Sequence, residues 1–228
     1  MDVRKLLGRL NPRVAQYEVG SGGAPEWTPQ DIAAALGMVG DRLGREILCH
    51  TWWPDGALRS HAQLLDDLRD LQLQEWTTRM RRLEAALLAH HIAAELADGT
   101  HGRMRADVYR AHSEVEDAKA NCWPKIGPQS RYRAIRDGVL AEMLDMHLCP
   151  GCGGTGESRI DAIVRVCVRC TGSGHAKVSD SDRAERLGCT RKTYTEAWAQ
   201  PYEWLFAECA QAERRAARHM AIELEIAG

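Results

Sequence analysis

Two cysteine pairs of identical form carry most of the chemistry this chain could perform. Cys149-Pro150-Gly151-Cys152-Gly153-Gly154-Thr155-Gly156 and Cys167-Val168-Arg169-Cys170-Thr171-Gly172-Ser173-Gly174 both read C-x-x-C-x-G-x-G. A C-x-x-C turn brings two thiolates to one side, and the glycines that follow let backbone amides fold toward sulfur without a Cβ clash. Two such knuckles make a closed set of four thiolates, the geometry of one structural Zn2+ held by Cys149, Cys152, Cys167 and Cys170. A lone C-x-x-C would leave redox chemistry open, whereas repetition with the same glycine spacing favours metal. The 14 residues between Cys152 and Cys167 suit a projecting hairpin, with β-branched residues over 158–168. About 26 residues cannot hold a core unaided, so the ion must supply the folding energy of the module.

The remaining candidates are weaker. Cys49, Cys189 and Cys209 fall at apolar positions of helical patterns and read as core, and Cys122 lies in a Trp123-Pro124 loop. His90 and His91 point about 100° apart on a helix and do not readily share a metal. Among the motifs sought, no Gly-rich phosphate loop, nucleophile elbow, HExxH or EF-hand run occurs, so an enzyme is not expected.

After the second knuckle the residue order changes character. Ser179-Asp180 offers an N-cap; Ala184 and Leu187 would face inward, Gly188 would turn the chain, and Thr190 would cap a second helix that buries Tyr194 and Trp198. That is the order of a DNA-reading helix-turn-helix. Its exposed face would carry Thr190, Arg191, Lys192, Thr195 and Glu196, at the helix end that enters a major groove. Two ordinary packed helices are the competing reading, so Thr190, Arg191, Lys192 and Thr195 stand as candidate DNA contacts.

Positioning these groups falls to a chain whose patterns are helical almost throughout. Residues 1–26 mix basic residues with Gly20, Gly22, Gly23 and Pro25, and read as a flexible arm or linker outside the core. Thr28-Pro29-Gln30-Asp31 opens a helix, and a second short one covers 43–49. Leucines and other apolar residues then recur at three- and four-residue steps over 58–96 without Pro or Gly. A more polar helix covers 103–119, and Trp123-Pro124 with Gly127-Pro128 marks a boundary. Beyond it come an amphipathic helix over 130–146, the cysteine module, and a helix over 202–220 after Pro201. The expected fold is therefore all-α: a helical domain at 27–127, then a unit at 128–228 combining the helix-turn-helix, an inserted four-cysteine zinc finger and a C-terminal helix.

Charge constrains the partners. With 30 Lys+Arg against 32 Asp+Glu the formal charge is −2, which argues against binding nucleic acid by bulk attraction. Residues 149–200 hold eight Lys/Arg and six acids, so any DNA contact is local and modest, and a second protein partner is expected. No apolar run reaches the length of a membrane span, and no apolar stretch follows the basic N-terminal residues as in a signal peptide; the chain is expected in a reducing cytoplasm.

In its order of features the chain resembles the lambdoid phage antitermination factor Q family. The resemblance rests on the two C-x-x-C-x-G-x-G motifs, the helix-turn-helix pattern at 179–199, and the tail running from Trp198 through Pro201-Tyr202, Cys209 and Glu213, with an echo at Asp31 to Met38. It covers roughly 149–213 and is thin over 50–145. It implies a transcription regulator that binds double-stranded DNA at a phage late promoter and joins promoter-proximally paused RNA polymerase while sigma is still bound. Contact would be with the sigma factor and the polymerase β flap, followed by read-through of pauses and terminators in the bacterial host cytoplasm. The same resemblance carries Cys149, Cys152, Cys167 and Cys170 over as zinc ligands and the helix from Thr190 as the DNA element. A phage or prophage repressor or activator using the same finger and helix-turn-helix is the alternative. The cysteine-rich region of DnaJ-type chaperones shares the repeat but uses four copies, whereas this chain has two and lacks a His-Pro-Asp tripeptide.

Overall fold

A computed structural model describes residues 3–11, 27–99, 105–126, 131–144, 149–153, 155–160, 163–172 and 174–227. The chain is mostly helical. In order come α1 (Val3–Leu10), α2 (Pro29–Gly37), α3 (Arg42–Trp52), a 3-10 turn (Pro54–Gly56), α4 (His61–Gly99), α5 (Arg105–Ala120) and α6 (Tyr132–Leu144). The antiparallel pair β1 (Glu157–Ile160) and β2 (Ile163–Val166) follows, then α7 (Asp180–Arg186), α8 (Arg191–Thr193), a π-helical segment (Tyr194–Trp198) and α9 (Ala199–Ala227). No helix among the described residues is long and apolar enough to cross a membrane.

Sequence-local signals set several helix starts. Thr28 and Asp31 form a reciprocal capping box with Pro29 in the first turn, and Asp41 caps α3 through Gly44 N–H. The continuous periodicity over 58–96 appears as the single helix α4.

Helix α9 is the spine of the molecule. Its first half contributes Tyr202, Leu205, Phe206 and Cys209 to a core shared with Ile47 of α3, Leu64 and Leu68 of α4, Ile135, Val139 and Met143 of α6, and Ala184 of α7. Its second half contributes Ala216, Ala217, Met220 and Leu224 to another core with α1, α2 and α3. Burial of each large side chain stabilises the fold by roughly 1.5–3 kcal/mol. Both cores thus draw on residues from either side of the boundary marked near 127. Where α3 crosses α9 the backbones nearly touch: a Cβ on Gly44 would lie 2.0 Å from the Ala212 carbonyl oxygen. Only glycine against a row of alanines permits that approach.

Two expectations are corrected. Residues 3–11 are not a loose arm, because Val3, Leu6 and Leu7 sit at helical spacing and are buried against α3 and α9; residues 12–26 of the expected arm lie outside the described residues. Nor does Pro201 separate two helices. It lacks the N–H and crowds the carbonyl four residues earlier, and the preceding turn widens to a π-type bond from Ala199 N–H to the Tyr194 carbonyl, so the helix runs from Arg191 into α9.

Candidate metal centre

The two knuckles are built alike. Cys149 N–H donates to the Gly174 carbonyl at 2.9 Å, and Cys167 N–H donates to the Gly156 carbonyl at 2.9 Å, so each knuckle is stitched to the far end of the other. Gly156 N–H points at Cys152 Sγ and Gly174 N–H at Cys170 Sγ, both at 3.3 Å. The residues directly after each second cysteine, Gly153 and Thr171, adopt the left-handed conformation with φ of 59° and 50°. Thr171 accepts that strain while its hydroxyl donates to the Cys170 carbonyl at 2.8 Å.

This frame brings the four sulfurs of Cys149, Cys152, Cys167 and Cys170 within 4.8 Å of one another. Cys149 and Cys167 are 3.9 Å apart, Cys152 and Cys170 3.7 Å. Zn–S bonds of about 2.3 Å arranged tetrahedrally require sulfur separations near 3.8 Å, so the set fits one ion of that size. Three of the four thiols are buried. The Cys170 N–H and then the Arg169 N–H favour the charged form of Cys167 over the opposing effect of burial, pulling its thiol down to about 7. A four-thiolate site of this kind shapes the chain around an ion and leaves no protein-free coordination position for chemistry on a substrate.

The other cysteines are not drawn into it. Cys49 and Cys209 are buried free thiols, each pushed up to about 12 by desolvation. Cys189 packs on the core, and Cys122 approaches the Met80 sulfur at 3.3 Å. His90 stacks near His112 across α4 and α5, and neither His90 nor His91 joins a metal-ligating cluster among the described residues.

Compared with known families, curated proteins and solved structures, the chain finds no match.

Helix α9 grips the finger along one side. His175, directly after the second knuckle, places Nε2 3.0 Å from Glu213, whose other oxygen accepts from Arg4 Nε at 3.0 Å; all three are buried. Burial alone would raise the Glu213 carboxyl, but the His175 hydrogen bond and the Arg4 charge outweigh it and hold it below the usual range. Arg214 donates to the Gly172 carbonyl, and Arg218 pairs with Glu157 at 2.8 Å. The three arginines of α9 are thus engaged: Arg214 and Arg218 with the finger, and Arg215 with Asp41.

A second buried network lies beneath the helix pair. Arg183 of α7 donates from Nη2 and Nε to both oxygens of Glu142 on α6, at 2.6 and 3.1 Å, and the Tyr202 hydroxyl of α9 adds a bond to Glu142 at 2.9 Å. The arginine lies over the Tyr202 and Phe206 rings. Arg131 Nε also donates to the Leu187 carbonyl.

On that base, α7 ends at Arg186 with Leu187 as its C-cap, Gly188 turns with φ 63°, and Thr190 caps the next helix through Thr193 N–H. Tyr194 and Trp198 are buried, as their spacing suggests. Thr190, Arg191, Lys192 and Thr195 are exposed together at the helix start; the Thr195 hydroxyl bonds back to the Arg191 carbonyl, and Lys192 lies 3.8 Å from Glu196. Sequence reasoning missed Arg4, Glu142, His175, Arg183 and Glu213, whose partners lie 38 to 209 residues away. Only Glu213 carried any signal, through its place in the family-like tail.

Proposed function

We propose that this protein is a DNA-binding phage transcription antitermination factor of the Q type, with one structural Zn2+ held by Cys149, Cys152, Cys167 and Cys170. In this reading α7, the Gly188 turn and the helix from Arg191 act as a helix-turn-helix. Arg191 and Lys192, with Thr190 and Thr195, meet double-stranded DNA at a late promoter, and the bound protein joins paused RNA polymerase through sigma and the β flap. The enzyme then passes later pauses and terminators.

The observation that supports it is that one continuous helical run links both parts: its start exposes the Thr190–Lys192 end, and its later turns hold the finger through Glu213, Arg214 and Arg218. A reader so anchored keeps its pose relative to the finger, which rigid docking on a groove requires. With few basic residues at that end, DNA affinity is modest and its salt dependence shallow, in keeping with a factor that also needs a protein partner.

The test is transcription in vitro from the late promoter of the source genome with a terminator downstream. Read-through should appear only with both the protein and that promoter present, and Arg191→Ala or Lys192→Ala should weaken the promoter footprint at unchanged zinc content. Read-through from every promoter, or none, rejects the promoter-loaded mechanism. A footprint that represses or activates initiation without read-through points instead to the repressor or activator reading.

A further inference from the structure

We propose that the outer half of α4 is a self-association surface and that its occupant is a second copy of this chain, paired antiparallel. Within this half, Leu83 and Ala86 pack on Val115 and Ala118 of α5, and His90 meets His112. At about 100° per residue, Arg81, Ala85, Leu88, Ile92 and Glu95 fall within an arc of roughly 80° on the side turned away from α5. All five are exposed. Leu88 is 59% exposed and Ile92 50%, with Leu96 at the edge of the strip at 50%. Glu84 flanks the other edge. Contiguous apolar surface of this kind, on a helix half that the described residues cover only on its α5 side, marks an interaction face.

The charges say which partner fits. Arg81 lies seven residues before Leu88 and Glu95 seven residues after it. The strip therefore carries a cation at one end, a carboxylate at the other and leucine at the midpoint. An antiparallel copy with its two-fold axis at Leu88 sets each Arg81 against the Glu95 of the other copy, twice over, while Leu88 packs on itself. A parallel copy would instead set Arg81 against Arg81 and Glu95 against Glu95. The strip is about 20 Å long and one helix wide, a small interface by the standards of specific pairs, so association falls in the micromolar range. This inference does not depend on the DNA reading, because none of its residues belongs to the Thr190 helix or the finger.

Sedimentation velocity of the zinc-loaded full chain, from ~1 to ~100 µM, tests it. A reversible monomer–dimer equilibrium is expected, and Leu88→Lys should abolish it at unchanged zinc content and helicity. Arg81→Glu or Glu95→Arg alone should weaken it about tenfold, since each variant turns two symmetric ion pairs into repulsions, and Arg81→Glu combined with Glu95→Arg should restore it. A chain that stays monomeric throughout, a dimer indifferent to Leu88→Lys, or charge reversals that fail to rescue one another would overturn the proposal. So would a monomer in which this strip is protected only on adding RNA polymerase.

Discussion

Replacing Glu142 by Gln removes the counter-charge of Arg183 while keeping the side chain's size. Both residues are about 95% buried, and the carboxylate accepts two guanidinium N–H groups and the Tyr202 hydroxyl. An amide at that place turns one oxygen into a donor facing a donor and leaves the arginine charge without its partner. Breaking a buried ion pair from one side typically costs 3–5 kcal/mol. Two features move the expectation to the low end: Glu203 stands 3.9 Å from Arg183 at the surface, and a cleft of about 490 Å3 beside the pair admits water. The expected loss is therefore ~3 kcal/mol, or roughly 6–12 °C in Tm for a chain of this size. Urea unfolding of the zinc-loaded protein, followed by far-UV circular dichroism and tryptophan fluorescence, measures it, with an unchanged m-value showing that the end states are preserved. The double variant Glu142→Met with Arg183→Met removes both charges and should cost only about 1–2 kcal/mol, mostly from the Tyr202 hydroxyl losing its acceptor. A Glu142→Gln loss below about 1 kcal/mol, or a double variant worse than either single one, would refute the view that this pair locks α6, α7 and α9 together.

Cys149→Ser should lower bound zinc from one ion per chain to a substoichiometric level and expose the 149–174 segment to proteolysis; a full ion retained by the variant would contradict the ligand set. Protons compete with metal for thiolates, so affinity should fall with pH, and below about 7 the Cys167 thiol alone adds a tenfold loss per pH unit; competition with a chromophoric chelator between pH 6 and 8 reads the slope, and a pH-independent affinity would remove thiolates from the site. Gly44→Ala should destabilise by about 3 kcal/mol, because its methyl meets the Ala212 backbone, whereas Gly8→Ala, in the last turn of α1 with nothing within 4 Å, should stabilise by roughly 0.5 kcal/mol. Thermal unfolding of the two variants side by side decides it, equal shifts being the adverse result.

What the sequence disclosed follows from the range over which each interaction acts. The cysteine site was legible because its ligands, glycines and turn conformations all lie within one short segment, and a repeated spacing leaves few geometries open. The α7 turn was legible for the same reason: an N-cap serine, a glycine at positive φ and a capping threonine are local signals. Helix α1 was hidden by the glycine-rich stretch that follows it, although Val3, Leu6, Leu7 and Leu10 keep helical spacing; what makes that short helix worth forming is the tertiary surface of α3 and α9, which no window of eight residues contains. Pro201 was misleading because a proline ends a regular α-helix but not one that first widens by a residue. The Glu213 network lay beyond reach, since Arg4 and Glu213 are 209 residues apart and only folding makes them neighbours.

The same reasoning bears on α4. Periodicity in its outer half established a helix with apolar residues on more than one side, and it could not say whether each side was covered by this chain or by another. Folding answers for one side, where Leu83 and Ala86 meet α5, and leaves Leu88 and Ile92 in water. Burying such residues is worth roughly 1.5–3 kcal/mol apiece when complete. A strip whose charges reverse symmetrically about its central leucine can be covered by the chain's own copy. The decisive contrast is thus between single and paired reversals at Arg81 and Glu95, because a strip that is merely sticky would respond to Leu88→Lys but would not recover its partner when both charges are exchanged.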